Sequence, residues 1–231
     1  MPLNIPGETM KRIAMLAVWI CASCLYFNCA VAQEFTPPQG KGRGVLVVSG
    51  SMGAHAYEPA AKHIAAMGYD VLLLDSKDMI GDHGAGIKAG IDKLQHSANV
   101  LPGKIGVVGF SLGGGQVLAF ATSQTDTVAA IVVMYPLTRL FKDHIPGLVA
   151  RFQVPILMLA GESDSYKDCC LIETARAIGA AAQAAHAPLE LVTYPGANHD
   201  FIYEDSRNYD AKTAGDAWQR TEAKLKQYLS N

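Results

Sequence analysis

Six short apolar runs punctuate the chain and constrain its fold more than any other feature. They cover residues 45–49, 71–74, 105–108, 131–134, 156–160 and 189–193, and all are rich in Val, Ile and Leu. A strand wet on one face alternates apolar with polar residues. These runs do not, so the spacing predicts strands buried on both faces, as in a parallel sheet covered by helices. Stretches with helical spacing lie between or after them, at 58–67, 85–94, 113–122, 170–185 and 210–229. The last of these carries Ala214, Ala217, Trp218, Leu225, Tyr228 and Leu229 near one stripe. Strand–helix alternation with right-handed crossovers predicts a doubly wound α/β sheet with helices on both faces. Turn chemistry agrees: Gly68 follows the first helix as a C-terminal cap, and Pro102-Gly103 interrupts the chain before Ile105.

The N-terminal segment reads as something other than this domain. Lys11 and Arg12 precede an apolar stretch from Ile13 to Phe27, and Ala30-Val31-Ala32 places small residues where a signal peptidase reads. The expectation is a secretory leader over residues 1–32, a mature domain over 33–231, and a secreted or periplasmic location. The apolar stretch falls short of the ~20 residues that span a bilayer, so no stable membrane anchor is expected after cleavage. None of Cys21, Cys24 and Cys29 has the small-residue and Leu context of a lipidation site.

Charge narrows the partners. Lys+Arg 19 against Asp+Glu 21 gives −2, and losing Glu8, Lys11 and Arg12 with the leader moves the balance to −3. No cationic surplus exists to neutralise phosphates, which argues against nucleic acid as a partner. Only the adjacent Cys169 and Cys170 remain in the mature chain. Neighbouring Cα atoms lie ~3.8 Å apart across a trans peptide, below the usual disulfide range. Export to an oxidising space would permit a strained vicinal disulfide, but the expectation is two inert thiols at a helix start. No His/Cys/Asp/Glu spacing points to a metal.

The chemistry is expected at the carboxyl ends of the strands, where open α/β sheets place their sites. Gly109-Phe110-Ser111-Leu112-Gly113 follows one predicted strand and opens a helix. This is the layout of a nucleophile elbow, with the serine held on a strained turn and glycine on either side to relieve clashes. A serine hydroxyl needs a base, and the base needs an acid to orient it. His199, in the loop after residues 189–193, is the expected base, and Asp164, in the loop after 156–160, the expected acid. Glu162 and Asp168 are alternative acids on the same loop. Asp200 is expected to point away if His199 faces Ser111. The backbone N–H groups of Leu112 and Ser51 are the expected oxyanion donors, with Met52 as the neighbour of Ser51. His55 and His83 follow strands and are expected to border the pocket.

These residues resemble the dienelactone hydrolase family of α/β-hydrolases. The resemblance rests on Gly-Phe-Ser111-Leu-Gly-Gly, Gly-Glu-Ser-Asp164 and Tyr-Pro-Gly-Ala-Asn-His199-Asp-Phe in that order, with Ala66-Met67-Gly68-Tyr69-Asp70-Val71 upstream. It implies an α/β-hydrolase sheet, a Ser111–His199–Asp164 triad and no cofactor. Two positions depart from the family pattern. The family nucleophile is a cysteine where this chain has Ser111, and a family glutamate is replaced by Gly50. Both changes point to a serine carboxylesterase acting on small or medium esters or lactones. The segment 135–155 is too short for a large cap, although Phe141, Ile145, Leu148, Val149 and Phe152 are expected to form a small apolar helix over the pocket. The competing readings are an exported non-catalytic binding protein on the same fold, and a peptidase or acyltransferase using the same triad.

Overall fold

A computed structural model describes residues 32–230; the expected leader lies outside the described residues apart from Ala32. Seven strands form one sheet: β1 Gln33–Phe35, β2 Gly44–Val48, β3 Asp70–Leu74, β4 Ile105–Phe110, β5 Val128–Met134, β6 Ile156–Gly161 and β7 Leu189–Tyr194. Their order across the sheet is β1-β3-β2-β4-β5-β6-β7. All neighbours are parallel except β1, which runs antiparallel along β3 and sets Gln33 opposite Leu73. Among the described residues, six α-helices complete the fold: α1 Glu58–Ala66, α2 Ala85–Gln95, α3 Ser111–Phe120, α4 Ile145–Val149, α5 Ile172–Ala184 and α6 Ala211–Leu229.

The continuous apolar runs are strands covered on both sides, as expected. Leu46, Val48, Leu72 and Leu74 face a core completed by α2, α3, α4 and α5. Val45, Val47, Val71 and Leu73 face the opposite core, closed by α1 and α6. The two edge strands, β1 and β7, are half-exposed along most of their length. Gly68 ends the turn after α1 with φ 103° and donates its N–H to the Ala65 carbonyl, a conformation that favours glycine. On α6 the buried stripe is Ala214, Ala217, Thr221, Leu225 and Leu229. Thr221 joins it because its hydroxyl donates to the Ala217 carbonyl, while Tyr228 turns outward.

Two expectations are corrected. The segment between β5 and β6 holds only a short 3-10 turn at Arg139–Phe141 and α4, so there is no large cap. But Leu148, Val149 and Phe152 are buried in the core that contains α5 residues Ile172 and Ala175, with Phe141 and Ile145 packed against it. Their apolar character serves the core rather than a lid. The cysteines differ as well. Cys169 and Cys170 are joined by a disulfide across a Cα–Cα distance of 3.8 Å. The pair sits in the bend before α5 begins at Ile172, not on the helix, where successive side chains would diverge by about 100°.

Candidate active site

The turn from β4 into α3 creates the site. Ser111 is a non-glycine residue at φ 47°, a left-handed conformation that costs ~1–2 kcal/mol. The neighbouring backbone leaves no alternative route. A Cβ on Gly113 would lie 2.3 Å from the Ser49 carbonyl oxygen, and one on Gly109 would lie 2.8 Å from the Gly114 Cα. The Gly113 N–H donates to the Ser49 carbonyl at 3.1 Å, tying the elbow to the end of β2. The strain falls on Ser111, the middle of the three residues between these glycines.

Three chain-distant residues meet there. His199 Nε2 lies 3.0 Å from Ser111 Oγ, and His199 Nδ1 lies 2.7 Å from Asp164 Oδ2. All three are buried. A carboxylate can only accept, so Nδ1 carries the proton and Nε2 presents its lone pair to the serine hydroxyl. The other Asp164 oxygen accepts the Tyr166 backbone N–H at 3.1 Å, which holds the carboxylate in place. The alternative acids are engaged elsewhere. Glu162 accepts from Arg176 and Thr193, both at 2.7 Å, and Asp168 is exposed.

The two expected oxyanion donors follow neighbouring strands. Val48 of β2 is level with Gly109 of β4, so Ser51 and Leu112 each lie three residues past a matched pair. Leu112 falls in the first turn of α3, where backbone N–H groups lack intrahelical acceptors. The Ser51 loop is anchored by Gly50, whose carbonyl accepts from Ser76 Oγ at 3.0 Å, while Ser49 Oγ accepts the Ser76 N–H at 3.0 Å. His55 and His83 are both exposed, with His55 against Glu58 at 2.9 Å.

Three tyrosines near the grouped residues escaped the sequence reading, and Asp200 was read with the wrong orientation. Tyr166 stacks on the imidazole, with ring centroids 4.7 Å apart and planes 12° from parallel. Tyr135 meets it edge-on at 4.8 Å. Asp200 does not point away: its Oδ1 lies 3.8 Å from His199 Nε2, the nitrogen that faces Ser111. The reason is a left-handed backbone at Asp200, φ 59°, which turns the side chain back. Burial raises the Asp200 carboxyl above its ordinary value, an effect the nearby His199 opposes. Tyr57 is buried against Phe110 and Tyr203. A Cβ at Gly50 would sit 2.0 Å from the Tyr57 hydroxyl and 3.2 Å from Ser111 Cβ. The phenol therefore takes the space that any side chain at position 50 would need, beside the serine. Burial holds the Tyr57, Tyr135 and Tyr203 phenols above the ordinary range, hence protonated. Tyr135 was the most accessible from sequence, because it directly follows β5.

A cavity of about 920 Å³ lies elsewhere, between β7 and α6, and is lined by Tyr194, Asn198, Arg207 and Asp216 among others. None of the three grouped side chains borders it, so chemistry rather than cavity size locates the site.

Comparison with known proteins follows the same lines. The sequence profile of the dienelactone hydrolase family matches residues 74–229, more than half of the chain. Protein usf of Aquifex pyrophilus is 30% identical over 145 residues, which is 62% of this chain and 59% of that protein. A Yersinia pestis protein named for carboxymethylenebutenolidase activity is 33% identical over 121 residues, 51% of this chain and 44% of that protein. The chain thus matches about half the length of these curated relatives. Among solved structures, one from Klebsiella pneumoniae named for dienelactone hydrolase has a TM-score of 0.74 at 20% identity, covering 85% of this chain and 92% of that one. Thermogutta terrifontis esterase 2, phosphonylated by sarin, has a TM-score of 0.64 at 18% identity, covering 87% and 91%.

Proposed function

The chain belongs to the dienelactone hydrolase family, and from that premise we propose that it is an exported serine carboxylesterase acting on small or medium esters or lactones through an acyl-enzyme. One observation carries the reading. A single buried imidazole sits 3.0 Å from Ser111 Oγ through Nε2 and 2.7 Å from a buried carboxylate through Nδ1. A binding module has no physical need for that relay.

In the proposed reaction His199 Nε2 takes the Ser111 proton as Oγ attacks the ester carbonyl. Asp164 remains ionised, holds the productive tautomer and stabilises the imidazolium. The Leu112 and Ser51 N–H groups receive the tetrahedral oxyanion. The imidazolium protonates the leaving alkoxide, and water, deprotonated at the same Nε2, releases the acid and frees Ser111. The strain at Ser111 keeps its hydroxyl at the end of β4. Besides water, each step uses only side chains and backbone of this chain, so no cofactor is required, and the partner is a small-molecule ester.

The reading is tested by intact-mass analysis after fluorophosphonate treatment, beside Ser111→Ala. One adduct on the native protein and none on the variant supports it. No adduct on folded native protein overturns it. Export rests on the leader at residues 1–32, and mass analysis of protein recovered from its source reads it directly: a mature chain beginning at Gln33 is expected, and a retained leader refutes it.

A further inference from the structure

The Cys169–Cys170 disulfide is adjacent to His199. Both sulfurs and a ring nitrogen of His199 all lie within 4.8 Å of one another, and all three residues are buried. The loop bearing the cysteines also bears Asp164 and Tyr166, and the Cys169 carbonyl accepts the N–H groups of Thr138 and Arg139 at 3.0 and 2.9 Å. The pair is thus fixed between the acid loop and the segment following β5. The hydrolytic steps above use neither sulfur.

We propose that the reduced pair, together with His199, is a binding site for a thiophilic d10 cation such as Zn²⁺, and that its occupancy shuts the esterase off. The inference rests on the triad reading for its effect on activity, but not for the binding itself. Two thiolates and one imidazole form a recurring zinc donor set, with a fourth position left open. Ligand atoms around a tetrahedral zinc are ~3.5 Å apart, so after reduction the two sulfurs must separate from their bonded distance while the ring nitrogen closes by about an ångström at most. The second coordination layer already exists. Asp164 accepts from Nδ1 at 2.7 Å, the carboxylate–histidine pairing that fixes the tautomer and raises the basicity of a metal-bound imidazole. With Nδ1 committed to Asp164, the nitrogen that the proposed site takes is Nε2, the same one that faces Ser111. One lone pair cannot serve both.

The disulfide sets the gate. An external dithiol or phosphine supplies two electrons, the S–S bond breaks, and two protons give two thiols. The cation then displaces both thiol protons and takes the Nε2 lone pair. Oxidation returns two electrons to an acceptor disulfide and expels the ion. With the S–S bond intact the sulfurs carry no thiolate charge, and no site exists.

The test uses the full chain, oxidised and phosphine-reduced, beside a Cys169→Ser/Cys170→Ser variant. Cd²⁺ reports binding through its ultraviolet thiolate charge-transfer band, and Zn²⁺ reports function through the rate of fluorophosphonate labelling. The band difference between native protein and variant isolates this pair from the other cysteines. The expected result is one Cd²⁺ per reduced chain above the variant, a tenfold or greater loss of labelling with Zn²⁺ in the reduced protein, and recovery on chelation. Oxidised protein and variant should be indifferent to Zn²⁺. A reduced chain with two more titratable thiols than the variant but no excess band overturns the proposal, as does a folded chain whose pair resists reduction or equal Zn²⁺ inhibition in the variant. Absence of labelling in every sample would overturn the esterase reading alone, because the cadmium band does not depend on it.

Discussion

Replacing Asp164 with asparagine separates the orienting role of the carboxylate from simple packing. The side chain is fully buried and divides its two oxygens: one accepts from His199 Nδ1 at 2.7 Å, the other from the Tyr166 N–H at 3.1 Å. An amide cannot accept at both ends. With its carbonyl toward Tyr166, its NH₂ faces Nδ1, and the imidazole must move its proton to Nε2, pointing at Ser111. With the amide reversed, two donors face each other at Tyr166, leaving a buried N–H unsatisfied at a cost of ~1–3 kcal/mol. The first arrangement therefore dominates by ~5–150-fold, and in it His199 offers Ser111 no lone pair. The minor arrangement still lacks the charge that stabilises the imidazolium. Together these place the loss in kcat/KM at ~10³–10⁴-fold, or ~4–5.5 kcal/mol of barrier. The assay is kcat/KM on a chromogenic short-chain ester, with the thermal midpoint measured alongside. Activity within tenfold of native, in a variant that melts normally, would refute the orienting role.

Three further outcomes follow from the same geometry. Ser111→Gly should abolish fluorophosphonate labelling yet stabilise the fold by ~0.5–1 kcal/mol in denaturant unfolding, because glycine relieves φ 47°; Ser111→Ala, equally unlabelled, should gain nothing from the backbone, and equal stability of the two would contradict strain at the elbow. Gly113→Ala sets a methyl 2.3 Å from one backbone carbonyl oxygen and 2.6 Å from another, so it should cost ~2 kcal/mol or more and lower Tm by several degrees; an unchanged melt counts against the tight crossing. Asp200 has its carboxyl raised, chiefly by burial, so the native state binds more protons than the unfolded chain, and stability falls as pH climbs from the ordinary value of 3.8 through the raised one. Asp200→Asn tolerates φ 59° and should be the more stable protein at neutral pH, with the gap closing below the ordinary carboxylate value; a gap independent of pH in urea unfolding would dismiss the buried charge.

The sequence made the strands legible because burial on both faces leaves an unbroken apolar run, and five of the six continue into the observed strands with ends shifted by a residue or two. The start of β5 was missed by three residues: Val128, Ala129 and Ala130 belong to the strand, but two alanines carry little β signal. β1 was invisible. Gln33–Phe35 is three residues long and pairs only along the sheet edge, so nothing in its own composition marks it. Ser111, Asp164 and His199 were legible because each follows a strand in a local pattern that fixes its own backbone. Tyr57 and Tyr166 have no such pattern. Their proximity to the site depends on where other strands end.

The acid loop gives the clearest case of what local reasoning leaves out. Cα spacing along the chain argued for free thiols, and that spacing is indeed 3.8 Å. What decides the outcome is the bend in which the pair sits. Lys167 and Asp168 just before it take left-handed conformations, φ 49° and 53°, and Thr138 and Arg139 hold the Cys169 carbonyl from another part of the chain. The same bend brings Tyr166 onto the face of His199. One short loop thus sets the carboxylate that orients the imidazole, the ring that covers it and the sulfurs beside it. Under the proposed zinc switch, a change in the state of those sulfurs would reach His199 across a gap of no more than 4.8 Å. Coupling between redox state and hydrolysis requires no movement of the sheet, only a loop able to take two states.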